Sequence, residues 1–374
     1  MSVWDAYPTD YRRREVDTIL AAASAGECVS VVGLSGAGKS NLLGFIAARA
    51  SQINASLPAK QDRFILVDCN RLPQYTGASL FRLLRSTLGE NEPVDDEFLA
   101  LNACIGRLLA DPHSRLCLLL DRFDCLGLDE NASPPQPPTV ALASNLRALR
   151  DGHKYALSLV AATRRPINSQ TELAELFYAN TFWLGPLSQG DAAWNIQRFS
   201  ERRGLHWDDN AVQELVRLTR GYPSFLKAAC EAYAAGAALD VASLVTSPPV
   251  QRCLDEFWAG QPDAQALQRS GLEGHPLLQA SLPSGPALAV DSSLLTAKEN
   301  LLLGYLRLHP GEVCEKDDLI RAVWPEDRIY EHGVRDDSLA QLVRRLREKI
   351  ERDPSNPQRI LTIPGRGYRF QPSS

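Results

Sequence analysis

Short apolar runs punctuate the first half of the chain. Residues 28–33, 63–69, 116–121, 157–163 and 181–184 form short, β-branched or Leu-rich runs. Runs this short, apolar on both alternating faces, predict parallel strands covered on both sides. Helical stretches separate them, beginning with one that carries Ile19-Leu20-Ala21-Ala22-Ala23. Strand–helix alternation predicts an α/β doubly wound domain with a parallel sheet. From residue 188 to about 245 the period changes to that of helices. Trp194, Ile196 and Phe199, then Val212, Leu215, Val216 and Leu218, mark successive apolar faces.

The last 80 or so residues carry a separate pattern. Thr296 with Glu299 three residues later forms a capping box before the run Leu301-Leu302-Leu303. A short helix from Lys316 is stopped by Pro325, and a longer one covers 337–353. The longer helix has an apolar face of Leu339, Leu342, Val343, Leu346 and Ile350. Two short strands, 359–363 and 367–370, flank Pro364-Gly365-Arg366 as a hairpin. Two stretches are rich in turn formers. Residues 129–139 hold four prolines and read as a surface loop, and 260–293 read as a linker or loosely packed connector. The resulting division is 1–187, 188–259, 260–293 and 294–374.

Length and composition narrow the function classes. The 374 residues are 44% hydrophobic and 23% charged, with a net charge of −5. That allows two or three domains and excludes wholesale disorder. The acidic balance argues against a chain that coats nucleic acid along its whole length. No apolar run approaches the ~20 residues of a membrane span. The eight cysteines form no CxxC pair and several sit in apolar runs, which predicts reduced thiols in a cytosolic protein without zinc. Arg outnumbers Lys 33 to 7, a codon bias of GC-rich bacterial genomes.

The chemistry begins at the first strand. Gly33-Leu34-Ser35-Gly36-Ala37-Gly38-Lys39-Ser40 is G-x-x-x-x-G-K-S between a strand and a helix that opens at Asn41. Such a loop presents backbone N–H groups to phosphate oxygens at a helix N-terminus. Lys39 is expected on the β- and γ-phosphates and Ser40 on Mg²⁺. The apolar run Leu116-Cys117-Leu118-Leu119-Leu120 ends in Asp121, which suits the Mg²⁺ hydration shell. Arg122 stands where many P-loop ATPases have Glu, so Asp124 is read as the water-positioning acid; its alternative is a helix cap. Arg164, at the tip of the fourth strand, is read as a γ-phosphate sensor, with a basic surface loop as the alternative. Gly221-Tyr222-Pro223 starts a helix, as a phosphate-facing motif or a plain helix corner.

Together these segments resemble the STAND class of signal-transduction ATPases, relatives of the Orc/Cdc6-like AAA+ proteins, over roughly residues 8–245. Arg14-Glu15 is similar to the family's G-R-E segment, with Arg13 in place of Gly. Asp121-x-x-Asp124, Thr163-Arg164 and Gly221-x-Pro223 match its further motifs in order. The resemblance implies a slow, switch-type ATPase, ADP-closed and ATP-open, that self-associates when open. It also implies that Pro223 packs near the adenine or β-phosphate. ATP rather than GTP follows from the family and from the lack of a guanine motif after the fourth strand.

The C-terminal segment closely resembles the OmpR/PhoB-type winged helix. Leu295-Thr296-x-x-Glu299, Leu319 to Trp324, Arg344-Arg345-Leu346-Arg347-x-Lys349-Ile350 and Gly365-x-Gly367-Tyr368-Arg369-Phe370 carry the likeness. It implies that the third helix enters a DNA major groove and the wing approaches the backbone or minor groove. Ser338, Gln341, Arg344, Arg345, Arg347, Arg366 and Arg369 are the expected DNA-contacting residues. Residues 291–374 hold 14 basic and 14 acidic residues, yet 339–374 hold 8 and 3. Positive charge thus concentrates on the elements that would meet DNA. Asp337, near the start of the third helix, departs from the family and opposes phosphate. The expected whole is an α/β P-loop NTPase with a helical lid followed by a winged helix. It would be an ATP- and Mg²⁺-dependent switch acting on double-stranded DNA, most simply in transcription. A winged helix docking on protein in an oligomerising assembly, and an Orc/Cdc6-like loader, are the rival readings.

Overall fold

A computed structural model pairs the five apolar runs into one parallel sheet. The structure describes residues 3–371 apart from 54–60, 129–136, 170, 282–296, 310, 324–335, 352–353 and 355–356. Its contacts divide the chain into two units, Met1–Ala280 and Ser281–Ser374.

In the first unit α1 (Arg13–Ser24) leads into β1 (Val29–Val32), and the phosphate-type loop then opens α2 (Lys39–Ile53). β2 (Gln61–Asp68) is followed by α3 (Gly77–Thr87) and α4 (Glu97–Leu108). β3 (Ser114–Asp121), α5 (Pro137–Gly152), β4 (Leu157–Thr163), α6 (Ala174–Phe177) and β5 (Thr181–Trp183) complete the layer. The strand order is β2-β3-β4-β1-β5. Successive residues feed opposite faces. Cys117, Leu119, Val160 and Ala162 join the core that holds Ile19, Leu42 and Ile46. Leu118, Leu120, Leu159 and Ala161 join the one that holds Leu80, Ile105 and Leu146. Two buried faces explain why these strands read as unbroken apolar runs.

The lid follows as α7 (Gln189–Arg202), α8 (Asp209–Thr219), α9 (Pro223–Ala234), α10 (Val241–Thr246) and α11 (Pro248–Ala259). Their starts are written in the sequence. Ser188, Asp208 and Asp240 accept hydrogen bonds from Asp191, Ala211 and Ser243 backbone N–H groups, caps of about 1 kcal/mol each. Pro223 and Pro248 occupy first turns, where a missing N–H costs nothing.

The segment expected as a connector is partly ordered packing. α12 (Ala264–Arg269) and α13 (Pro276–Ser281) lie within 260–293, and Leu272, Leu277 and Leu278 are buried in the first unit's core. Its Gly and Pro residues make the corners between short helices. Residues 282–293 lie outside the described residues, as do 129–136 of the proline-rich loop; α5 begins at Pro137.

The second unit runs α14 (Ala297–Leu308), β6 (Val313–Glu315), α15 (Lys316–Val323), α16 (Asp336–Ile350), β7 (Ile360–Ile363) and β8 (Gly367–Phe370). The antiparallel sheet has the order β6-β8-β7. Leu302, Leu306, Leu319, Leu339, Leu346 and Ile360 fill the core. This is three helices and a wing, with one strand more than the sequence pattern indicated. Gly367 admits that strand: a Cβ there would lie 2.0 Å from the Cys314 carbonyl oxygen. Thr296 of the capping box, with Trp324 and Pro325, lies outside the described residues. Glu299 is buried and meets Lys349 Nζ at 2.6 Å.

Candidate functional site

The loop Gly33 to Ser40 leaves the carboxyl edge of β1, where an α/β sheet opens its crevice. Gly36 and Gly38 have φ of +78° and +89°, a region that disfavours any side chain. At Gly36 a Cβ would also strike Ser224 Oγ at 2.1 Å. Lys39 Nζ donates to the loop's own carbonyls at Gly33 and, over 3.3 Å, Leu34. Burial pushes its pKa down to about 8, against the pull of the Asp124 and Asp121 carboxylates. A polyanion in the cleft would favour the charged ammonium, so the site fits phosphate.

Asp121 closes β3 in register with Asp68 of β2 and is buried. Burial raises its pKa and the Ser40 hydroxyl opposes the rise, so the two expected Mg²⁺ residues adjoin. One carboxylate beside one hydroxyl, with room for water, suits a cation that keeps most of its hydration shell. Asp124 and Arg164 also meet here, Arg164 Nε donating to Asp124 Oδ2 at 2.8 Å. Lys39, Ser40, Asp121, Asp124, Arg164 and Pro223 line a cleft of about 470 Å³. A second cavity of about 480 Å³ shares Asn41, Pro223 and Lys227 with it and is walled by Tyr7, Tyr11 and Trp194. Each is of the size that takes a small ligand.

The lid touches the loop directly. Tyr222 Oη donates to the Ser35 carbonyl at 2.7 Å, and the Ser224 backbone N–H donates to the Gly36 carbonyl at 3.2 Å. Arg12 reaches the same loop from the other side. Its Nη2 donates to Ala37 O at 2.9 Å and Gly185 O at 3.1 Å, and its backbone N–H donates to Asp191 Oδ2 of α7 at 3.2 Å. Arg12 is only 2% exposed and sits at φ +47°, a strained backbone for a residue with a side chain. Such strain at a crowded junction marks a position held by its surroundings.

In the second unit Ser338, Gln341, Arg344 and Arg345 are exposed on α16, opposite the apolar face that the sequence predicts. Arg344 pairs with Glu348 at 3.1 Å, and Arg366 at the wing tip donates to Glu315 at 3.0 Å. Arg369 is half-buried on β8. Arg335 and the side chain of Asp337 lie outside what is described.

A family model described as Novel STAND NTPase 1 matches residues 11–268, more than half of the chain. The chain belongs to the Novel STAND NTPase 1 family. A second model, Transcriptional regulatory protein, C terminal, matches residues 291–370 of this STAND NTPase. The STAND NTPase is therefore a P-loop NTPase joined to a winged helix of the transcriptional-regulator type. It is 42% identical over 89 residues to the transcriptional regulatory protein YvrH of Bacillus subtilis, covering 24% of the chain and 34% of that protein. It is 33% identical over 115 residues to the sensory transduction protein RegX3 of Mycobacterium tuberculosis, covering 28% and 49%. The STAND NTPase thus spans half or less of the length of these curated relatives. Among solved structures, the Walker-type ATPase PABY2304 of Pyrococcus abyssi overlays 99% of this chain and 97% of its own at 16% identity and a TM-score of 0.44. Among the described residues no helix is long and apolar enough to cross a membrane.

Two arginines of the STAND NTPase make contacts that the sequence reading did not include. Arg14, matched to the family's N-terminal arginine, is exposed, while Arg12 makes the loop contacts. Three adjacent arginines hide which one turns inward; only the left-handed bend at Arg12 decides. Arg347, grouped with the DNA-facing residues, turns to the wing instead. Its guanidinium donates to Ile360 O at 3.0 Å and Thr362 Oγ1 at 2.8 Å, and it lies 5.9 Å from the Tyr368 ring centroid. It braces the hairpin against α16.

Proposed function

We propose that this STAND NTPase is an ATP-operated switch whose winged helix engages double-stranded DNA, with transcription as the regulated process. The observation that carries the reading is the contact of Tyr222 and Ser224 with the Ser35 and Gly36 carbonyls. Whatever reshapes the phosphate loop must be felt by α9 and the lid. Arg12 adds a third tie, from the N-terminal segment to both loop and α7.

In this reading the triphosphate lies along Gly36 to Asn41, and the base enters the aromatic cavity beside Tyr11 and Trp194. Lys39 leaves the Gly33 and Leu34 carbonyls for the β- and γ-phosphate oxygens. Ser40 and Asp121 would hold Mg²⁺, which neutralises phosphate charge when bound. Arg164 is offered a γ-phosphate in place of Asp124, since a dianion outcompetes a carboxylate for one guanidinium. Asp124 is then released to orient water. Hydrolysis restores the Arg164–Asp124 pair, so one ion pair reports nucleotide state. Turnover is slow because the water-orienting acid must first be freed, and the ATP-bound form self-associates. On α16, Ser338, Gln341, Arg344 and Arg345 face the groove, and Arg366 and Arg369 of the wing face the backbone.

Isothermal titration of Mg·ATP into the full chain and into Lys39→Ala tests the nucleotide half. Lys39→Ala is expected to lose binding while its thermal melt stays cooperative. An unchanged affinity would contradict the assignment of the loop.

A further inference from the structure

Two thiols meet at the edge of the nucleotide cleft, and the proposed reaction uses neither. Cys69 opens a short turn, Cys69–Arg71, directly after β2; Cys125 lies in the turn Phe123–Leu126 just beyond β3. Because Asp68 and Asp121 are in register, both turns leave the sheet side by side. Cys125 Sγ lies 3.8 Å from the Cys69 carbonyl oxygen, across 56 residues of sequence. Each thiol's proton affinity feels the other, Cys69 being pushed up and Cys125 down. Cys69 is fully buried, whereas Cys125 is half-buried and opens on the cleft beside Asp124. Among the described residues no three potential ligands gather as a metal site, so the pair is not part of a metal cluster.

We propose that Cys69 and Cys125 are a redox site: a hydroperoxide converts them to a disulfide that arrests hydrolysis. Cys125 is the attacking thiol, since it lines the open cleft while Cys69 is buried, and its neighbour Cys69 holds it below the ordinary thiol range. Its thiolate sulfur bonds to the outer peroxide oxygen. The O–O bond breaks and the alcohol, or water from hydrogen peroxide, leaves with the thiol's proton. The Cys69 sulfur then attacks the Cys125 sulfenic acid, the S–O bond breaks, and water departs with the Cys69 proton. The pair loses two electrons and two protons, and the peroxide gains them. Forming the bond requires the side chains to bring the sulfurs to ~2.0 Å.

The bond would tie the turn that carries Asp124 to the turn after β2. Asp124 could then no longer part from Arg164 to orient water. This effect on turnover rests on the proposed role of Asp124, whereas the disulfide itself rests on the geometry of the two turns.

The test treats the full chain with hydrogen peroxide, alkylates remaining thiols and maps peptides by mass spectrometry, with ATP turnover measured in parallel. The expected result is a linked Cys69–Cys125 peptide pair, two hydrogens lighter than its reduced parts. Turnover should fall by ~10-fold or more, the low end of what a positioned acid or base supplies, and recover with dithiothreitol. Cys69→Ser and Cys125→Ser, each compared with its own reduced rate, should resist peroxide. Absence of the linked peptide, or sulfinic acid at Cys125 with Cys69 free, overturns the proposal whatever the turnover. A linked peptide with unchanged turnover overturns the switch while leaving the nucleotide-binding result untouched.

Discussion

Arg164 and Asp124 hold each other at 2.8 Å, yet one side chain is 64% exposed and the other 7%. A pair so open on one side is worth little to stability, on the order of 1 kcal/mol or less. Its position, at the tips of adjacent β3 and β4 and beside Lys39, is what the proposed switch uses. Asp124→Asn removes the charge but keeps the shape. In single-turnover measurements it should bind Mg·ATP like the parent and hydrolyse it ~10-fold or more slowly, the scale of a positioning acid. Equal turnover would leave Asp124 as a structural partner of Arg164. Lys39, Ser40 and Asp121 were legible in the sequence because each sits in a local strand–loop frame. Arg12 was not, because its value comes from Ala37, Gly185 and Asp191, none of them its neighbours in sequence. Arg347 shows a related difficulty: helical phase assigns a face to a side chain, but not how far it bends toward the wing.

At the scale of elements, the parallel strands were readable from their apolar runs, and α16 from its amphipathic face. β6 was not, being three residues with a single buried position. The helices α12 and α13 were hidden by the Gly and Pro residues around them. Their corner matters to the site. His275 is fully buried and its Nε2 bonds the Thr219 carbonyl at 2.9 Å, at the root of the Gly221-Tyr222-Pro223 turn. A carbonyl only accepts, so Nε2 carries a proton, while Nδ1 is buried and unbonded. Burial pushes its pKa down to about 4. The unfolded chain therefore binds the extra proton first as pH falls. Stability linked to His275 is full above about 6.5 and declines toward pH 4. The loss is up to about 3 kcal/mol. Urea unfolding of the full chain followed by tryptophan fluorescence should show this slope between the two pH values, and His275→Gln should flatten it. An unaltered slope in the variant would place the titration elsewhere.

Across the whole molecule, a net charge of −5 coexists with a 339–374 segment that holds 8 basic and 3 acidic residues. The acidic balance of the remainder disfavours indiscriminate DNA binding, and the proposed DNA contact falls on the basic segment. The nucleotide cleft and the exposed α16 arginines lie in different units. The central claim is that the state of the first governs the engagement of the second. The most direct measurement is the affinity of the full chain for a mixed-sequence DNA duplex across a salt series, with a non-hydrolysable ATP analogue or ADP. Binding should be tighter with the analogue than with ADP. The salt slope should also be shallower by ~0.9 for each phosphate that the double variant Arg344→Ala/Arg345→Ala no longer neutralises. Identical affinity in both nucleotide states, or a double variant that binds DNA like the parent, would contradict that claim.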